Sequence, residues 1–285
     1  MLTEAVDETP LLRVSKLTVA HERGNDGQSV DALWDVSFDL ERGEVLAIVG
    51  PSGVGKSTLL AALAGLVRPR VGAVTTRHGA LVAPTSRHAI VFQDGALFPW
   101  LTLQQNVTFA LRRRGFTRFE RQERSSDLLR RVRLAGHGDK FPHELSGGMK
   151  KRGAFARALA TDPEVLLLDE PFSALDVATR AELHDELLSL FSARGVGIVI
   201  VTHDLTEAAM LADRIIVLDG PPGEIVSEVA IRAPRPRHAD DTVVEAACAD
   251  LAKALTRRRG EERHEAHVAR SGRALGLVAR VVGAR

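Results

Sequence analysis

One cysteine, Cys248, no tyrosine and an aromatic content of 4% are the first things missing from these 285 residues. A single thiol excludes an internal disulfide and any multi-cysteine zinc site, and fits a reducing compartment. No apolar run approaches the roughly 20 residues that a membrane helix needs, so a membrane role has to be lent by a partner chain. The opening MLTEAVDETP is acidic and lacks the apolar stretch of a secretory signal. A charge excess of either sign is missing as well: 38 Lys and Arg stand against 37 Asp and Glu, a formal net charge of +1. A dedicated nucleic-acid binder is clearly basic, so nucleic acid is not an expected partner. The balance hides an asymmetry. Eight Arg and three Glu fall within residues 257–285, which leaves the preceding chain at −4.

What is present is an alternation of strand and helix signals. Residues 11–20 and 30–40 read as two partly alternating strands separated by the polar loop HERGNDGQS. VLAIVG (45–50), AIVF (89–92), PEVLLLD (163–169) and GIVIVTHD (197–204) are continuous apolar runs, the pattern of strands buried on both faces of a parallel sheet. KSTLLAALAGLV (56–67) and AELHDELLSLFSA (181–193) have helical spacing. Residues 102–135 are Arg-rich and helical in spacing, which predicts a helical subdomain inserted between sheet strands. Asp204 and Glu207, three apart, predict a capping box at the next helix, and residues 214–231 predict two final strands. The expected fold class is α/β: a P-loop core with a mostly parallel sheet, an N-terminal antiparallel β subdomain and an inserted α-helical subdomain.

Gly50-Pro51-Ser52-Gly53-Val54-Gly55-Lys56-Ser57, followed by Thr58, completes the P-loop pattern between a predicted strand and a predicted helix. Its glycines let backbone N–H groups curl around phosphate oxygens, and the helix turns its positive end toward the same anion. Lys56 is the point charge for the β- and γ-phosphates, and Ser57 the hydroxyl for Mg²⁺. Asp169 and Glu170 follow four apolar residues at the carboxyl end of a buried strand, where α/β sheets gather their ligands. The first carboxylate suits a hard cation, the second a general base that polarises water. Ser146-Gly147-Gly148, within LSGGM, opens a further helix and makes a second anion site without a lysine inside the loop. Two γ-phosphate receptors in one chain imply that each ATP is shared between two chains.

With LSGGM the chain resembles the ATP-binding cassette (ABC) ATPases, over residues 11–236. The resemblance implies that two domains pack head-to-tail around two nucleotides. It also implies roles for further residues: Gln93 as the glutamine that reaches Mg²⁺ and the attacking water, Asp176 of SALD as the residue communicating across the dimer, and His203 as the switch histidine at the γ-phosphate. The expected catalytic set is therefore Glu170, His203, Gln93 and Lys56, and the metal set Ser57, Gln93 and Asp169. Adenine is commonly stacked on tyrosine in this family; here the matching position is His21, which offers less ring area. Met149-Lys150-Lys151 replaces a usual run of glutamine and mixed polar residues.

The implied ligands are ATP and Mg²⁺. The implied partners are a second ATPase subunit forming a homodimer, transmembrane permease subunits at the cytoplasmic face of the membrane and, indirectly, a solute-binding protein. Phe98-Pro99-Trp100-Leu101 and the stretch 213–237 are similar to the nitrate, sulfonate and taurine importer ATPases, whereas MKKR is also similar to ATPases of lipid-trafficking systems. A soluble, non-transport ABC ATPase is a further alternative. The expected organisation is an ATPase domain over 11–236, with its helical subdomain at about 95–158, and a helical extension over 237–285 ending in a basic tail. The tail reads as a solvated helix with a frayed end, with contact to anionic lipid as the functional alternative; His264 and His267 lack the partners for a metal site.

Overall fold

The computed structural model describes residues 9–256, apart from 24–27, 174 and 192–193. The basic tail, with His264 and His267, lies outside the described residues.

Two sheets enclose a helix. The first is antiparallel, in the order β2 (Gln28–Leu40), β1 (Leu12–Arg23), β4 (Val71–Thr76), β5 (Gly79–Ala80). The second runs β10 (Glu224–Ala230), β9 (Arg214–Asp219), β3 (Val45–Val49), β8 (Gly197–Thr202), β7 (Val165–Asp169), β6 (His88–Val91). All neighbours in it are parallel except the β10–β9 pair. Strands of a parallel sheet are covered on both faces, which is why these segments are almost uniformly apolar. Along β3 the faces alternate: Leu46 and Ile48 join the core shared with the antiparallel sheet, and Val45, Ala47 and Val49 the core beneath the remaining helices.

Helix α1 (Lys56–Leu63) contributes Leu59, Leu60 and Leu63 to the core shared by the two sheets. It stops short of the predicted residue 67, because Gly65 adopts φ +73° after the cap at Ala64. The inserted helices are α2 (Leu103–Leu111), α3 (Arg118–Arg131) and α4 (Gly147–Ala160). Thr102 and Thr117 start the first two with reciprocal capping boxes to Gln105 and Glu120. Then come α5 (Val177–Phe191) and α6 (Leu205–Leu211). Asp204 caps α6 by accepting from the N–H groups of Thr206 and Glu207, but Glu207 makes no reciprocal bond. Its side chain is buried 3.9 Å from His184 instead. Packing of α5 on α6 thus overrides the capping box expected there. Residues 242–256 form a last helix, whose Val244, Ala247 and Leu251 enter the main core.

Candidate functional site

Strand order assembles the site. In the order β3, β8, β7, β6 the four strands are parallel, so their carboxyl ends share one edge. Val49 pairs with Thr202, Asp169 with Val201, and Val91 with Leu168. That register sets the P-loop, His203, Asp169-Glu170 and Gln93 side by side, although they are separated by up to 153 residues from Gly50 to His203.

The P-loop leads from β3 into α1. Gly55 holds φ +104°, and a Cβ there would meet the Ala32 carbonyl at 2.7 Å, so only glycine fits this turn. As N-cap it supplies no side-chain bond, which leaves the first N–H groups of α1 without a side-chain cap. Lys56 is 7% exposed and folds back over the loop, donating to the Gly50 and Pro51 carbonyls at 2.8 and 2.9 Å. Burial lowers its pKa, against the opposing pull of Glu170 and Asp169. Ser57 Oγ lies 3.5 Å from Asp169 Oδ1. Burial raises the pKa of Asp169, a shift opposed by the Ser57 hydroxyl.

Glu170 is the geometric centre of the remainder. Its backbone is in the left-handed region at φ +42°, a sparsely populated conformation for a non-glycine residue. Its N–H is anchored to the Val201 carbonyl at 2.9 Å. The side chain accepts from Gln93 Nε2 at 3.3 Å and meets His203 Nδ1 at 3.1 Å. A carboxylate held from both sides by loops of neighbouring strands has a defined orientation, as a group that must take a proton from a particular place requires.

Comparisons with known proteins identify the family. The family model described as ABC transporter matches residues 33–173. The taurine import ATP-binding protein TauB of Mesorhizobium japonicum is 46% identical over 217 residues, covering 76% of this chain and 83% of that protein. The nitrate import ATP-binding protein NrtD of a Synechocystis species is 43% identical over 206 residues, covering 72% and 77%. A dimeric ATP-binding cassette solved in a post-hydrolysis state with ADP and Pi superposes with a TM-score of 0.70 at 31% identity, covering 78% of this chain and 99% of that one. The chain belongs to the ABC transporter ATP-binding family.

In this ABC cassette the glycine-containing start of α4 is built differently from the P-loop start of α1. Ser146 caps α4, its hydroxyl accepting from the Met149 N–H at 3.3 Å. A Cβ on Gly148 would meet Thr179 Cγ2 at 2.8 Å, so the start of α4 packs tightly on the start of α5. Asp176 caps α5, accepting from the N–H and hydroxyl of Thr179 at 2.9 and 2.7 Å. His21, on β1, is exposed and lies 3.0 Å from Thr58 Oγ1, beside the first turn of α1.

Two features escaped sequence reasoning. Lys151, seen there only as part of a basic run, is buried and donates to the Gln93 carbonyl. The available signal was helical spacing, which puts Lys151 on one face with the small residues Gly148 and Ala154. The second feature is the extent of the aromatic groove beside Gln93. The Phe98 ring lies tilted against Trp100 at 5.5 Å and edge-on to Phe109 at 5.1 Å, and Trp100 is 71% exposed. With Phe92, Ala96 and Arg157 they border a cavity of about 1110 Å³ between β6 and the inserted helices, Trp100 standing at its margin.

Proposed function

We propose that this ABC ATPase energises the import of a small anionic or zwitterionic solute of the nitrate, sulfonate or taurine class through partner permease subunits. The carrying observation is the convergence of Gln93 and His203 on Glu170, next to a P-loop whose serine adjoins Asp169 and whose lysine folds back over the loop. In this reading Gly50 to Thr58 cradle the triphosphate, with Lys56 exchanging its two carbonyl bonds for β- and γ-phosphate oxygens. Glu170 takes the proton of the water that attacks the γ-phosphorus, while the bond to the β-phosphate oxygen breaks to give ADP and phosphate. His203 orients Glu170 and reaches the γ-phosphate, and His21 faces the base. Charge neutralisation and positioning supply most of the acceleration.

A hydroxyl, a carboxylate and an amide oxygen are the donors that a hard divalent cation prefers, and Ser57, Asp169 and Gln93 bring all three to the P-loop. They are the residues that hold Mg²⁺ in this reading; the ion, when bound, neutralises charge on the β- and γ-phosphates.

Ser146, Gly147 and Gly148 serve the γ-phosphate of ATP held by a second copy of the chain, and Asp176 lies at that dimer interface. Support comes from the separate position of α4's N-terminus and from a dimeric structural relative. A helical segment of the permease docks into the groove around Phe92, Phe98 and Phe109, which holds the ATPase at the cytoplasmic membrane face; among the described residues no helix is long and apolar enough to cross a membrane. A solute-binding protein then delivers the substrate. Residues 11–236 form the ATPase domain, with the helical subdomain at about 95–158, and 237–285 an extension.

Replacing Glu170 by Gln tests the core of this reading. Hydrolysis falls on the order of a hundred- to ten-thousand-fold, the range for loss of a general base, while ATP still binds and closed dimers accumulate in gel filtration. An ATP-bound Glu170→Gln protein that stays monomeric overturns the shared-nucleotide mechanism.

A further inference from the structure

Burying an ammonium group is costly unless something in the fold uses it. Lys151 is 5% exposed and has no carboxylate partner within ion-pair distance among the described residues, in contrast to Arg152 beside it, which pairs with Glu182 and Glu186. Lys151 points its ammonium at the backbone carbonyl of Gln93. Six residues further along the same helix, Arg157 donates to the Ala96 carbonyl at 2.7 Å and to the Gly95 carbonyl at 3.2 Å. Helix α4 therefore grips three carbonyls of the segment 93–96. That segment is committed to the grip by backbone shape as well, since Gly95 and Ala96 both hold positive φ, +73° and +44°.

The Lys151 end of the grip leads to the catalytic carboxylate. Gln93, held from behind through its carbonyl, donates forward through its side-chain amide to Glu170. The other end of α4 is Ser146, the cap of the helix, five residues before Lys151 and about 7–8 Å away along the axis. We infer that Lys151 is a positioning residue that ties Gln93 to α4, so that nucleotide bound at the N-terminus of α4 is registered at Glu170 of the same chain. The N-terminus of α4 and the carboxylate of Glu170 would then be coupled within one subunit by a helix and two hydrogen bonds. A coupling of this kind requires that Lys151 act through Gln93 and not merely by filling space. The inference rests on the ATPase reading above.

The test is steady-state ATPase of the full chain as wild type, Lys151→Met, Lys151→Arg, Gln93→Ala and the Lys151→Met/Gln93→Ala double variant. Met matches the volume and removes the charge. Lys151→Met is expected to lose about tenfold in kcat, the value of one charge-assisted hydrogen bond, with KM for ATP and the melting temperature close to wild type. Lys151→Arg should recover most of the loss, and the double variant should be no slower than Gln93→Ala alone. A wild-type kcat in Lys151→Met, additive losses in the double variant, or a lowered melting temperature that accounts for the loss overturns the inference. Lys56→Ala, measured alongside, separates the two levels: its loss of ATP binding upholds the site reading whatever Lys151 does, and its retention overturns both.

Discussion

Helices α1 and α4 both begin at glycine-containing loops suited to phosphate, yet they are finished in opposite ways. At α1 the cap is Gly55, which bonds nothing through a side chain, and Lys56 sits inside the loop with its charge directed to the Gly50 and Pro51 carbonyls. At α4 the cap is Ser146, whose hydroxyl already satisfies the Met149 N–H, and the nearest buried lysine turns away toward Gln93. The first start keeps its donors and a cation in reserve, so it can bind an anion unaided. The second is partly satisfied and carries no cation in its loop, so it suits an anion whose charge is already neutralised by another site. On the proposed reading, this difference has the nucleotide bound by the first loop before it is shared with the second.

The contrast can be broken experimentally. Its largest consequence is at Lys56: Lys56→Ala should weaken ATP binding to the isolated subunit at least about tenfold, the lower range for a lost charge-assisted hydrogen bond, as calorimetry would read it. Ser146→Ala should leave that binding unchanged. It should instead weaken ATP-driven dimerisation of the Glu170→Gln protein by about fivefold, corresponding to the roughly 1 kcal/mol of a helix cap. Equal losses of monomer binding in the two variants would remove the distinction between the loops. The smallest effect is expected at His21, beside Thr58 of the first helix: His21→Ala should cost ATP a few-fold in affinity, within the worth of one aromatic contact, and GTP less. Identical ATP and GTP constants in both proteins would take His21 out of the base site.

Much of the fold was legible because buried parallel strands are apolar throughout: VLAIV, VLLLD and GIVIVT became β3, β7 and β8. The Arg-rich helical spacing of residues 102–135 was legible too, and α2 and α3 form there. Where reading failed, a distant partner had intervened. Glu207 had the right spacing for a capping box but turned inward to His184 on α5.

By itself the sequence determined which chemical groups the protein owns and the local backbone that presents them. A P-loop, an acidic strand end and a serine-capped glycine helix are short-range objects, specified by residues within one turn of each other. The tertiary structure alone decided which of them meet. Gln93, Glu170 and His203 touch because β8 and β6 flank β7, a strand order that no residue in those loops specifies. The grip of Lys151 and Arg157 on the segment 93–96 has the same origin. Side chains 58 and 61 residues from their acceptors acquire a partner only once a helix has been packed against a loop.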